Sequence, residues 1–270
     1  MRVLSLALGL ATSLWLPPNS AVAQGASLDL TTRLALFQSA FPEAILGHAA
    51  NVLVMRDGTE ITIDDGRNKS HAEALKDADI EDMLSQIYPL GRCYTGAPPA
   101  QNFDPGRIRN DAFFKSLYGA DARAVSADME PVGWFNTSVA FSRRHGAAAA
   151  LARVARDLSS PTQDEAKFLN TLGGTFNWRV ISGTKRLSAH SFGVAIDVNP
   201  KHSTYWRWSG GKPGNVPSYQ NKVPLSIVEA FERQGFIWGG KWYHYDTMHF
   251  EYRPDLIAIG RQAEALGCVD

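Results

Sequence analysis

Long apolar runs, surplus charge, repeats and cysteine are all scarce in this chain, and each shortage excludes something. Beyond the first two dozen residues no stretch is apolar enough to span a bilayer, which takes about 20 residues in a helix. Lys plus Arg and Asp plus Glu number 27 each among the 270 residues. A formal net charge of zero supplies no electrostatic reason for a nucleic acid or an anionic membrane surface as partner. No internal repeat and no low-complexity block is present, so a repeat array of wall-binding modules is not expected. The helical His-Glu-x-x-His metal motif is missing. Cys93 and Cys268 are the only two cysteines, and neither lies near a His or the other Cys in sequence. That argues against a thiolate metal site and against a cysteine nucleophile.

What is present begins with a leader. Arg2 precedes an apolar run from Val3 to Leu16, then Pro17-Pro18 and Ala21-Val22-Ala23. A charged start, a short apolar core and a small-x-small site make a secretory signal peptide. Residues 1–23 are therefore expected to be removed, leaving an exported, periplasmic or extracellular protein with no membrane span. The rival reading is an uncleaved anchor. In an oxidising compartment the two cysteines are expected to pair, which would restrict a long loop and contribute about 2–4 kcal/mol. With 44% hydrophobic and 20% charged residues, the mature chain can bury a sizeable core.

Local patterns suggest the order of elements. Asn51–Met55 and Glu60–Asp64 flank an Asp-Gly turn and read as a hairpin. His71–Ile87 has apolar residues near helical spacing, Gly96–Pro105 is a Gly- and Pro-rich loop, and Asp111–Leu117 is a short helix. Val139–Leu158 reads as one long Ala- and Leu-rich helix. Thr162–Leu172 is another, with Thr162 and Glu165 as a capping box. From Thr175 onward short β-prone runs dominate: Thr175–Gly183, Phe192–Val198 and His249–Tyr252. A helix over Ser226–Gln234 and a C-terminal helix to about Leu266 accompany them. Helices first and a small sheet assembled late point to an α+β fold rather than an alternating parallel one. The division expected is a mostly helical N-terminal extension with a β-hairpin over residues 24–160, and a catalytic core over 161–270.

Two segments of the late region concentrate chemistry. The first is Ser188-Ala-His190-Ser-Phe-Gly193-Val-Ala195-Ile-Asp197, the second Asp246-Thr-Met-His249-Phe-Glu251. Two His and one Asp are the donors a catalytic zinc takes while keeping one position open. A metal there would lower the pKa of a water toward about 7, and an acid three residues before the second His could accept its proton. Gly193 and Ala195 are small enough to admit close backbone approach. The competing reading makes both His the polar ends of strands. His48, His71 and His145 lie in or beside helical runs and read as surface or satisfied core residues, and His202 and His244, close to the motifs, as candidates for substrate binding rather than as metal ligands.

The pattern Ser-x-His-x-x-Gly-x-Ala-x-Asp, followed after Trp238-Gly239-Gly240 by an acid-x-x-His-Phe-Glu, resembles the zinc D-alanyl-D-alanine carboxypeptidases and L-alanyl-D-glutamate endopeptidases that cleave peptidoglycan. The resemblance runs from about Phe176 to Pro254. It implies one zinc ion held by His190, Asp197 and His249, Asp246 as general base, and peptidoglycan stem peptides as substrate. The implied fold is a small antiparallel sheet carrying the metal and packed by helices, shared with the hedgehog signalling domain. On a regular strand Glu251 shares a face with His249 and Asp246 does not, so this assignment needs Asp246 in a turn before the strand. Glu251 then orients a His ring from behind, as Ser188 supports the first motif. Many relatives carry an Arg shortly after a Ser-Gly pair. Here Ser182-Gly183 is followed by Thr184-Lys185-Arg186 and preceded by Arg179, and any of the three cations could steady a developing oxyanion. The same resemblance admits an alternative, a non-catalytic, hedgehog-like zinc protein that binds cell-wall fragments.

Overall fold

The computed structural model of the chain describes residues 28–182 and 184–269. The leader expected at residues 1–23 and Gly183 lie outside the described residues. The chain is α+β. Helix α1 (Leu30–Ala40) starts on an Asp29 cap whose carboxylate accepts the Thr32 N–H at 2.8 Å. It is followed by an antiparallel three-stranded sheet of β1 (Ile45–Ala49), β2 (Val52–Met55) and β3 (Glu60–Thr62). The Asp-Gly hairpin expected there joins β2 to β3.

Two expected helices come out differently. His71–Ile87 is not one helix but two short ones, α2 (His71–Ala74) and α3 (Ile80–Leu84). Asp79 explains the break, because its carboxylate caps the N–H of Asp82 at 2.8 Å and so starts a new helix. Helices α4 (Asp111–Tyr118) and α5 (Ala122–Ala127) come next. Val139–Leu158 then divides into a strand and a helix. Thr137–Ser142 is β5, paired along its whole length with β4 (Met129–Trp134). Only Ala147–Asp157 is helical, as α6. Val139 and Phe141 suit a pleated surface, and left-handed backbone at His145 and Gly146 separates the strand from the Ala-rich helix.

Helix α7 (Gln163–Leu169) has the expected Thr162–Glu165 capping box. The last sheet is built from β6 (Leu172–Gly174), β7 (Ala195–Val198), β8 (Phe236–Trp238) and β9 (His249–Tyr252), in the order β6-β7-β9-β8 with every pair antiparallel. Helix α8 (Leu225–Arg233) covers its apolar face, with Phe231 stacked on Phe250 at 3.9 Å between ring centroids, a pairing worth about 1 kcal/mol beyond the buried area. Helix α9 (Pro254–Ala265) closes the chain. Cys93 and Cys268 form a disulfide that anchors its end. One buried apolar cluster runs from Leu28 through Phe113, Phe141 and Phe250 to Ala263, so N-terminal and C-terminal residues share a core. Among the described residues no helix is long and apolar enough to cross a membrane.

Candidate metal centre and cleft

The centre grows from the register of two strands. In the β7–β9 pair Asp197 lies opposite His249, and Ala195 opposite Glu251. Directly opposed residues have Cβ atoms about 5 Å apart on one face, so Asp197 and His249 meet, and Glu251 stands beside His249. The alternate residues Ile196 and Phe250 are fully buried in the core. His190 arrives from outside the sheet, on a 3-10 turn spanning Ala189–Phe192. Ser188 caps that turn by accepting the His190 N–H at 3.4 Å. Gly193 ends it in left-handed backbone, at φ 65°, and a Cβ there would sit 2.5 Å from Met129 Sδ. Turn geometry and packing thus account for Gly193.

Three donor atoms converge. His190 Nε2 is 3.2 Å from Asp197 Oδ1 and 3.2 Å from His249 Nδ1, and His249 Nδ1 is 3.0 Å from Asp197 Oδ1. The far nitrogens are engaged elsewhere. His190 Nδ1 donates to the Thr175 carbonyl at 2.5 Å. His249 Nε2 faces Glu251 Oε2 at 3.5 Å, and that carboxylate also accepts from Arg109 Nη1 at 2.7 Å. With a proton on each outer nitrogen, the inner two present lone pairs to one another. Two lone pairs and a carboxylate oxygen within 3.2 Å of each other repel unless they share a cation. In the absence of a cation the same demand for positive charge falls on His249, whose ring takes up a proton that a bound cation would displace. Burial opposes charge on His249, yet hydrogen bonds to Asp197 and Glu251 outweigh it and lift its pKa to about 9. Burial would also raise Asp197, but the His190 and His249 rings hold it well below the usual carboxylate range. For Glu251 the same burial is outweighed by Arg109, which keeps it at about 2.

Asp246 is not on the strand. It sits in an isolated bridge to Tyr205, and the His249 N–H donates to its carbonyl at 3.2 Å to close a turn ahead of β9. The carboxylate lines the same cleft as the three donors. Its Oδ1 is buried and accepts no hydrogen bond. Burial, then the neighbouring Asp197, push its pKa up to about 6. A carboxylate with a free oxygen and a pKa near neutrality is equipped to take a proton.

The cleft has a volume of about 280 Å³. Part of its wall is the excursion from Pro200 to Pro217, through Tyr205, Trp206, Arg207 and Pro213. Of the three cations proposed from sequence, Arg179 is exposed and lines the cleft, whereas Lys185 is exposed and does not. Arg186 lines it from a buried position. Its Nη atoms donate to the carbonyls of Leu75 and Arg107, its Nε has no partner, and burial with Arg109 nearby lowers its pKa to about 9.

Residues 182–252 match the model of a family described as D-alanyl-D-alanine carboxypeptidase. That segment, about a quarter of the chain, is similar to this peptidase family. No curated protein and no solved structure matches the chain.

The matched segment holds the three donors, Asp246 and Glu251, but other cleft residues come from much earlier in the chain. Arg107 lines the cleft, lies 5.3 Å over the Trp242 ring and has a buried Nε without a partner. Its charge also counters the upward pressure on the Asp246 pKa. Arg109 lines the cleft and holds Glu251. Sequence reasoning missed both, because the Pro105-Gly106 loop carries no spacing that ties it to a sheet assembled 90 residues later. His71, read as a surface or core residue, and His244, read as a candidate for substrate binding, both bond to Asp104: His71 Nε2 to Oδ2 at 2.8 Å, and His244 Nδ1 to Oδ2 at 2.7 Å.

Proposed function

We propose that the chain is an exported zinc peptidase that hydrolyses peptide bonds in peptidoglycan stem peptides. The observation that carries this reading is the triangle of bare donors, His190 Nε2, Asp197 Oδ1 and His249 Nδ1, with the unbonded Asp246 carboxylate in the same cleft. Separations of 3.0–3.2 Å between donors fall a few tenths of an ångström short of the edge of about 3.3 Å that four-coordinate bonds of about 2.0 Å require, the distance zinc takes to N and O ligands, so a small outward shift of the side chains would admit the ion. Three protein donors leave a fourth position, as catalytic sites do. Zinc would supply a Lewis acid that polarises the scissile carbonyl and eases deprotonation of water.

The protein's own groups account for the rest. Asp246 takes a proton from the water that attacks the carbonyl carbon and passes it to the departing amine. Thr175 and Glu251 fix the ring orientations of His190 and His249. Arg107, whose charge reaches Asp246, supplies the positive potential that a developing oxyanion needs, and Arg179 and Arg186 line the same cleft. Export follows from the leader at residues 1–23.

Purified muropeptides incubated with the mature protein, with zinc or with a chelator, test the reading by mass spectrometry. Zinc-dependent loss of one alanine identifies a carboxypeptidase. Release of the stem peptide after L-alanine identifies an L-alanyl-D-glutamate endopeptidase, and opening of cross-linked dimers a D,D-endopeptidase. Zinc bound at one ion per chain without cleavage of any muropeptide overturns the enzymatic reading in favour of a binding protein.

A further inference from the structure

His71, Asp104 and His244 form a second cluster of potential metal donors, and its hydrogen bonds say what it is for. His244 Nε2 accepts the Gly214 N–H at 3.0 Å, so the ring proton resides on Nδ1. That proton is donated to Asp104 Oδ2, at 2.7 Å. No lone pair is left on Nδ1 for a cation, and the cluster is a hydrogen-bonded lock. Asp104 is fully buried. Besides the two imidazoles, it accepts the backbone N–H of His244 on Oδ1 at 2.9 Å. Burial opposes its charge, but the His244 and His71 donors keep it ionised.

The residues around Asp104 grip the same loop. The Tyr243 N–H donates to the Phe103 carbonyl at 2.7 Å, and Trp242 Nε1 to the Pro105 carbonyl at 2.6 Å. Arg107 Nη1 donates to the His244 carbonyl at 3.3 Å. Gly106 allows the segment to lie this close, since a Cβ there would meet Ile237 Cδ1 at 2.3 Å. Two residues after His244 comes Asp246, whose Oδ1 has no hydrogen bond of its own. Nothing bonded to that oxygen aims the carboxylate, so its direction is set by the backbone on which it stands.

We infer that Asp104, with the Phe103–Arg107 segment, is the positioning element of the loop that carries Asp246. The N-terminal region thereby completes a site whose chemistry lies in the matched segment. This inference rests on the proposed peptidase function for its kinetic consequence, but its structural consequence is independent of that function.

Two measurements separate the two. The first is hydrogen exchange of the Tyr243, His244 and Asp246 amides in full-length protein carrying Asp104→Asn. Faster exchange, by about 10-fold or more, is expected once the lock is broken. Unchanged exchange at all three amides overturns the positioning role whether or not the protein cleaves muropeptides. The second is kinetic, on wild type shown to be active. Asp104→Asn should lower kcat by about 100-fold, the scale of a misplaced catalytic group, with KM changed by less than about 3-fold and one zinc retained. Should that variant not fold, His244→Asn and His244→Ala replace it. Asn keeps a donor toward Asp104 and is expected to retain most of kcat, whereas Ala is expected to lose it. Equal kcat in the two His244 variants, or a rise in KM alone in any variant, overturns the inference. An inactive wild type with fast-exchanging loop amides in Asp104→Asn would sink the peptidase reading while leaving the lock in place.

Discussion

Two clusters in this molecule have the same composition, two histidines and one aspartate, and their hydrogen bonds give them opposite characters. In the first, His190 and His249 turn their outer nitrogens toward Thr175 and Glu251 and leave the inner ones bare, 3.2 Å apart. In the second, His244 is bonded through both nitrogens, and Asp104 accepts from both rings. The first demands a positive charge between its donors, and the second is already satisfied. Residue type and proximity therefore do not make a metal site; the decisive feature is where the second-layer acceptors force the ring protons to lie.

The sharpest break of this comparison is a matched pair of substitutions. His190→Ala should release the metal and lower turnover by at least about 10³-fold, because both the Lewis acid and the activated water depend on it. His71→Ala should leave one zinc per chain, as read by elemental analysis of dialysed protein. A second tightly held zinc that disappears in His71→Ala would show that the two clusters are alike after all.

Asp246→Ala comes next. Loss of a general base costs about 10²–10⁴-fold in kcat, and zinc content should be unchanged because Asp246 is not among the three converging donors. Zinc lost together with activity would make it a ligand instead. Glu251→Gln should have a smaller effect, weakening zinc affinity by about 10–100-fold in a competition titration with a chromogenic chelator. Unaltered affinity would mean that Arg109 and Glu251 serve packing alone.

The parts legible in sequence were those whose physics is local. The turn ahead of β9 is what the resemblance required once Asp246 was taken as the base, since Asp246 and Glu251 cannot both face the metal from one strand. The Thr162–Glu165 capping box and the hairpin at Asp57-Gly58 are likewise short-range patterns. Helix lengths were misread where a local cap or a strand pairing overrode periodicity, as at Asp79 and along Thr137–Ser142. The contributions of Asp104, Arg107 and Arg109 were invisible. Each acts on residues roughly 140 positions away, and a single Asp or Arg in a Pro-Gly loop has no periodicity to betray its partner. Of the three cations proposed from sequence, Lys185 is the one the fold leaves outside the cleft.

The smallest effect is the most discriminating, because one substitution should change stability in opposite directions at the two places. Asp246 has a pKa raised by burial and by Asp197 to about 6. The folded chain therefore binds that proton more tightly than the unfolded chain does. The stability it contributes is fully present below the ordinary carboxylate range and is lost as pH rises through about 6. Asp246→Asn, neutral at every pH, should accordingly be more stable than wild type at pH 7.5, by on the order of 1–3 kcal/mol. The difference should fade near pH 4, measured by thermal unfolding with a chelator so that a bound cation does not favour the carboxylate. Asp104 has the reverse sign. Its carboxyl is held low by His244 and His71 despite burial, so it contributes stability above the ordinary range that is lost as pH falls. Asp104→Asn should therefore be less stable than wild type at pH 7.5 and approach it in acid. The same direction of change in both variants would refute the contrast, because a carboxylate kept ready to take a proton and one kept ionised to hold a loop cannot respond alike to losing their charge.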